Sequence, residues 1–142
     1  MPIKKSNDQA SSDDASVLIL RDGKARLVKP SNLRASLRDF SVITDGAGSL
    51  TAEYGNTLFP REAAYEFSFP RDIDKHRGNI DYRDESGNYF IAPASGKFMV
   101  ISKDAGSPNT YTNYITYMNL TFVHEEMEVT INGTGEATFV FA

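Results

Sequence analysis

The chain has no cysteine, no tryptophan, only two histidines and no long apolar run. Without cysteine there is no disulfide framework, no thiolate metal site and no cysteine nucleophile. No window approaches the roughly eighteen consecutive apolar residues that a membrane-spanning helix needs. Met1-Pro2-Ile3-Lys4-Lys5 leads into polar residues with no apolar signal core, so a protein made and kept soluble is expected. What the chain does have is a 40% hydrophobic content over 142 residues, enough for one ordinary domain plus an arm. Nine phenylalanines and seven tyrosines supply bulky residues of the kind that strands favour.

Charge is unevenly placed. Residues 1–40 carry eight Lys/Arg against five Asp/Glu (+3) and residues 41–142 seven against fourteen (−7), together the net −4. Asp13, Asp14 and Asp22 interrupt the basic part, so an acidic protein surface suits it better than nucleic acid.

Residues 1–16 are polar and have almost nothing to bury, which predicts an arm that is disordered or ordered by a partner. Residues 17–45 read as an anchoring module. Val17 to Leu20 has strand character, Asp22-Gly23 suits a tight turn with positive φ, and Ala25 to Val28 returns as the partner strand. Pro30 then ends strand pairing. Ser31 can cap a helix whose Leu33, Leu37 and Phe40 fall at i, i+4 and i+7, with Arg34, Arg38 and Asp39 off that stripe. A hairpin with two helical turns buries no core of its own. The expected docking set is therefore Leu33, Leu37 and Phe40, oriented by Arg26, Arg34 and Arg38. Thr44 to Ser49 is glycine-rich and reads as a hinge.

Residues 50–142 read as a β domain. Tyr65, Phe67 and Phe69 alternate with Glu66 and Ser68, the period of a sheet with one wet face. Further strands are expected at Ile80 to Tyr82, Tyr89 to Ile91, Lys97 to Ser102, Tyr111 to Val123, Met127 to Ile131 and Ala137 to Phe141. Turn chemistry separates them at Asp84 to Gly87, Pro93 and Gly96, Gly106 to Asn109 and Asn132 to Gly135. The class expected is mainly β: a hairpin-plus-short-helix adaptor, then an antiparallel sandwich.

Two resemblances bear on identity. Gly87 to Val100 runs as an aromatic strand, Ala92-Pro93, two small residues, Gly96 and a second aromatic strand. This resembles a signature of the complement and tumour-necrosis-factor jelly rolls, and the apolar strand Ala137 to Ala142 is similar to the last strand of that family, beside its trimer axis. The resemblance implies a jelly-roll-like homotrimer. Leu20, Asp22, Gly23, Arg26, Val28, Ser31 and Leu33 follow a pattern similar to the leading segment of tailed-bacteriophage appendage and head-decoration proteins. That implies a virion protein, assembled in the host cytoplasm, whose N-terminal module docks on the major capsid protein or another virion protein. A tail fibre carries a long shaft, and these residues hold none, so the resemblance implies a head-decoration, head-fibre or small adaptor protein.

Chemistry has little to stand on. His76 and His124 share no metal-ligand spacing. Asp72 and Asp74, or Asp81, Asp84 and Glu85, lack the glycine and terminal glutamate of a calcium loop. There is no Gly-x-Ser-x-Gly elbow and no phosphate-cradling loop before a helix. Asn119 and Asn132 fit a glycan-acceptor pattern that no secretory signal supports. The expectation is a protein that is not an enzyme and uses no cofactor, metal, nucleic acid or membrane. Tyr111, Asn113 and Tyr114, with Asn109 and Tyr117 nearby, form the one aromatic and amide cluster suited to sugar or protein recognition. They are the candidate ligand surface of the alternative, a carbohydrate- or receptor-binding tip using the loops at 71–78 and 106–114. A cellular trimeric β module unrelated to viruses is the third reading.

Overall fold

A computed structural model describes residues 16–44, 46, 48–55, 63–70 and 78–140. These residues form eleven strands and no helix. The strands are β1 (Ser16–Arg21), β2 (Lys24–Val28), β3 (Pro30–Ala35), β4 (Asp39–Thr44), β5 (Gly48–Glu53), β6 (Ala63–Phe69), β7 (Asn79–Arg83), β8 (Tyr89–Phe90), β9 (Ser95–Asp104), β10 (Thr110–His124) and β11 (Met127–Val140). All pairings are antiparallel. One sheet has the order β2-β1-β11-β10-β9-β6 and the other β3-β4-β5-β7-β8.

Alternation decides which residues enter the space between the sheets. From the six-stranded sheet come Val17, Ile19, Phe67, Phe98, Val100, Ile115, Phe122, Ile131 and Phe139; from the other come Leu33, Phe40, Val42, Leu50, Ile80, Tyr82 and Phe90. Aromatic rings fill the width. Phe67 stacks on Phe98 with centroids 4.7 Å apart, and Tyr82 on Phe90 at 5.7 Å.

The β1–β2 hairpin is as expected: Asp22 and Gly23 take φ of 52° and 74°, the left-handed pair a two-residue turn requires. The helix over 31–40 is corrected. Pro30 begins β3 instead of ending strand pairing, and Ser36 to Arg38 forms a turn into β4. Ser36 Oγ accepts hydrogen bonds from the Arg38 and Asp39 backbone N–H groups at 3.0 Å and donates to Asp39 Oδ1. Such local bonding competes directly with helix. Leu33 and Phe40 face inward from two successive strands, so the i, i+7 spacing that mimics a helical stripe spans a hairpin. Where a hinge was expected at 44–49, Thr44 ends β4 opposite Gly48 at the start of β5, and Thr44 Oγ1 donates to the Gly48 carbonyl; Asp45 and Ala47 lie outside the described residues. Residues 17–45 thus supply strands to both sheets, with β1 beside β11 and β4 beside β5.

A second correction concerns the end of the sandwich. Asn132 to Gly135 is no turn; β11 runs unbroken through it, beside a register shift in β10 between Tyr117 and Leu120. Gly133 sits at φ +152°, and a Cβ there would collide with the Ser16 carbonyl and Val17 Cα of β1. Glycine here admits a neighbouring backbone, which is a strand use of the residue. Finally, β8 stops at Phe90, and Ile91 is 68% exposed.

Candidate docking surface and edge cleft

At one edge of the six-stranded sheet lies β2. Its residues Lys24 to Leu27 are all exposed. On the outer face of the hairpin Leu18 sits directly across from Leu27, with Leu20 two residues along the same face. These leucines are 38%, 69% and 43% exposed, whereas Val17 and Ile19 between them are core. The run Val17-Leu18-Ile19-Leu20 is therefore apolar on both faces, although only one of them is covered by the opposite sheet.

The other face of the hairpin roofs a cleft of about 290 Å³. Ile19 and Tyr82 form its apolar wall, and Asp22, Lys24, Arg26 and Glu85 its charged rim. Arg26 Nη2 donates to the Gly46 carbonyl at 3.1 Å. Burial pushes the Tyr82 hydroxyl up to about 12, with Glu85 and Asp84 adding to it.

At the inner end Arg21 ties the hairpin to the turn after β7. Its Nη1 donates to Asp84 Oδ2 at 2.8 Å, and Nη2 lies 3.4 Å from Met127 Sδ. The Asp84 side chain is fully buried and that of Arg21 29% exposed. Asp84 Oδ1 accepts from the Ser86 and Asn88 N–H groups at 3.0 and 2.8 Å, and Oδ2 also accepts from Asn88 Nδ2 at 2.8 Å. Burial alone would raise this carboxyl, but the bonds from Asn88, Arg21 and Ser86 outweigh it and hold it below the usual carboxylate range. The bond from Asp84, with the fields of Asp84, Glu85 and Asp22, raises Arg21 in turn.

The expected docking residues scatter. Leu33 and Phe40 are 1% and 0% exposed, and Leu37 is half-buried against the core. None offers an anchor. Arg34 is exposed on β3, Arg38 in the following turn, and Arg26 in the cleft. The expected ligand surface divides by strand alternation. Tyr111 and Asn113 point inward at 3% and 0% exposure, and Tyr114 points outward at 40%. Asn113 Nδ2 donates to the Ser36 carbonyl at 3.1 Å and to the Tyr54 hydroxyl at 3.4 Å, which makes it a core tie between β10 and the β3–β4 turn. Burial drives the Tyr54 hydroxyl well above its ordinary range, against the bond from Asn113. Tyr114 lies across from Ile101, with Lys103 Nζ 5.7 Å from its ring centroid.

Among the described residues no group of three His, Asp or Glu could hold a metal. Asp81 accepts from Asn79 and Tyr89, and burial still raises its carboxyl. His124 meets Phe90 edge-on at 5.8 Å. His76, Asp72 and Asp74 lie outside the described residues, as do 71–77 of the expected 71–78 loop. The hairpin leucines were not read as a surface from sequence; the signal for them was a strand with no polar residue on either face. No protein-family model, curated protein or solved structure matches the chain.

Proposed function

We propose that this β-sandwich is a non-enzymatic structural protein of a tailed-bacteriophage virion, bound to the particle, above all its capsid, through the β1–β2 hairpin. The single observation that carries this is the exposed leucine face of Leu18, Leu20 and Leu27 on the outer side of the hairpin, turned away from the opposite sheet. Contiguous exposed apolar side chains mark interaction surfaces. The similarity of Leu20, Asp22, Gly23, Arg26 and Val28 to phage appendage segments falls on this same hairpin. The docking surface is thus assigned to the hairpin in place of Leu33, Leu37 and Phe40.

The sandwich is a jelly-roll-like head, and the assembly a homotrimer that decorates or stabilises the particle. Half-exposed Ile101, Tyr114 and Met118 on the outer face of β9 and β10 support self-association, and three weak hairpin contacts on one trimer add by avidity. The test is co-sedimentation with particles that lack the protein: Leu18→Ser with Leu27→Ser should abolish binding and leave the melting temperature unchanged. Binding unaltered by that pair refutes the assignment.

A carbohydrate- or receptor-binding tip is the second reading, and the edge cleft favours it. Its volume approaches that of small-ligand sites, about 300 Å³ and upward, and its rim, which mixes Lys24 and Arg26 with Asp22 and Glu85, would suit the hydroxyls of a sugar. Glycan-array binding that is lost in Lys24→Ala would support this reading over docking.

A further inference from the structure

We propose that the free edge of β2 accepts an extended segment of a partner protein as a seventh strand of the six-stranded sheet, and that this segment alternates acidic with apolar residues. The inference rests on the docking reading above and specifies its chemistry.

Among the described residues β2 pairs with β1 alone. Its five pairs, from Arg21 with Lys24 to Val17 with Val28, follow one another without a bulge, and it contains no proline. Bulges, prolines, short length and charged side chains, lysine above all, are the devices that blunt a sheet edge; β2 has no bulge or proline, but it is short and carries Lys24 and Arg26, charges that hold off other edges and leave a complementary acidic strand as the one they admit. An added strand would gain backbone hydrogen bonds along the edge, with side-chain pockets on alternating faces setting specificity.

The two faces of β2 are chemically distinct. Ala25 and Leu27 lie with Leu20 and Leu18, while Lys24 and Arg26 lie on the cleft side with Arg21 and Ile19. Among the described residues neither Lys24 nor Arg26 forms an ion pair. A neighbouring strand places its own side chains on the same two faces in alternation. Apolar residues would then cover Leu27 and acidic residues meet Lys24 and Arg26. A second copy of this chain is a poor occupant. Two β2 edges laid antiparallel would set Lys24 and Arg26 of one against Lys24 and Arg26 of the other, and like charges directly opposite are destabilising; laid parallel, they would set the basic face of one beside the apolar face of the other.

The probe is an acetylated heptapeptide, Val-Glu-Val-Glu-Val-Glu-Val, against a block-ordered peptide of the same composition and a lysine counterpart. Binding is read by fluorescence polarisation, and amide exchange of residues 24–28 by NMR. The alternating acidic peptide should bind at least about tenfold tighter than the block-ordered one and slow exchange along β2. Lys24→Glu with Arg26→Glu should reverse the preference toward the lysine peptide; Lys24→Gln with Arg26→Gln, which adds no negative charge, should abolish it. Equal binding of the two acidic peptides, unchanged exchange, or protection in the free chain of those β2 amides that face away from β1 each overturns the proposal. If the peptide fails while the leucine substitutions still abolish particle binding, strand addition falls and hairpin docking stands. If the peptide binds as expected and the particles do not, the virion reading falls and the edge site stands.

Discussion

Asp84→Ala should be among the most damaging polar substitutions in this protein. It removes the acceptor for four donors, Arg21 Nη1, Ser86 N, Asn88 N and Asn88 Nδ2. Breaking a buried ion pair from one side costs about 3–5 kcal/mol. Arg21 keeps 29% of its side chain exposed, so water recovers part of its solvation and the lower end, about 3 kcal/mol, applies. With a urea slope of roughly 1.5 kcal/mol per molar, the midpoint should fall by about 2 M, followed by far-ultraviolet circular dichroism. Glu85→Ala, on the neighbouring exposed residue, should stay within about 0.5 kcal/mol of the parent. The pH dependence gives a second reading. The folded carboxyl is depressed relative to an unfolded value of about 3.9, so its contribution is complete above that pH and is lost as pH falls through the folded value. The gap between the parent and Asp84→Asn should therefore narrow below about pH 4. An Asp84→Ala midpoint indistinguishable from that of Glu85→Ala would refute the reasoning.

Leu33→Ala should cost about 2–4 kcal/mol in denaturant unfolding, since its side chain is core and not an exposed docking residue; a loss well under 1 kcal/mol would contradict that burial. Gly133→Ala should lower the melting temperature by several degrees, because its Cβ meets β1 backbone that cannot rotate away. Burial raises the hydroxyls of Tyr54, Tyr82 and Tyr117 above the ordinary tyrosine range. Their stabilisation is full below about pH 10 and is lost as pH rises through the folded values, so the urea midpoint should fall progressively above about pH 10, and less so in Tyr54→Phe.

Where a short-range rule acted alone, the sequence could be read. Asp22-Gly23 dictated a hairpin turn, and alternation across Tyr65, Phe67 and Phe69 dictated a strand with one inner face. The errors arose where two rules compete over the same residues. Leu33, Leu37 and Phe40 satisfy helical spacing, but Ser36 bonds to the backbone ahead of it and folds the segment into a turn, so the period of seven comes from two strands. Asn132 to Gly135 has the composition of a turn, and only the approach of β1 explains Gly133. The candidate site was less legible than the fold. Tyr111, Asn113 and Tyr114 are neighbours in sequence, yet a strand sends the first two inward and the third outward. Leu18 and Leu20 are exposed because Val17 and Ile19 take the inner face of β1, and a run that is apolar at every position does not say which of its two faces turns inward.

The pairing of Ser16 with Thr134 also governs the order of events during synthesis. On the ribosome β1 is made before the other described strands, and its partner β11 follows more than a hundred residues later. The hairpin can close locally, while β1 waits with one side unpaired until nearly all of the described chain has emerged. Folding dominated by such distant pairings falls in the slow, millisecond-to-second class. The newborn chain therefore displays Leu18, Leu20 and Leu27 next to an open strand edge before the sandwich exists, and a chaperone or an early-bound partner would meet the hairpin first.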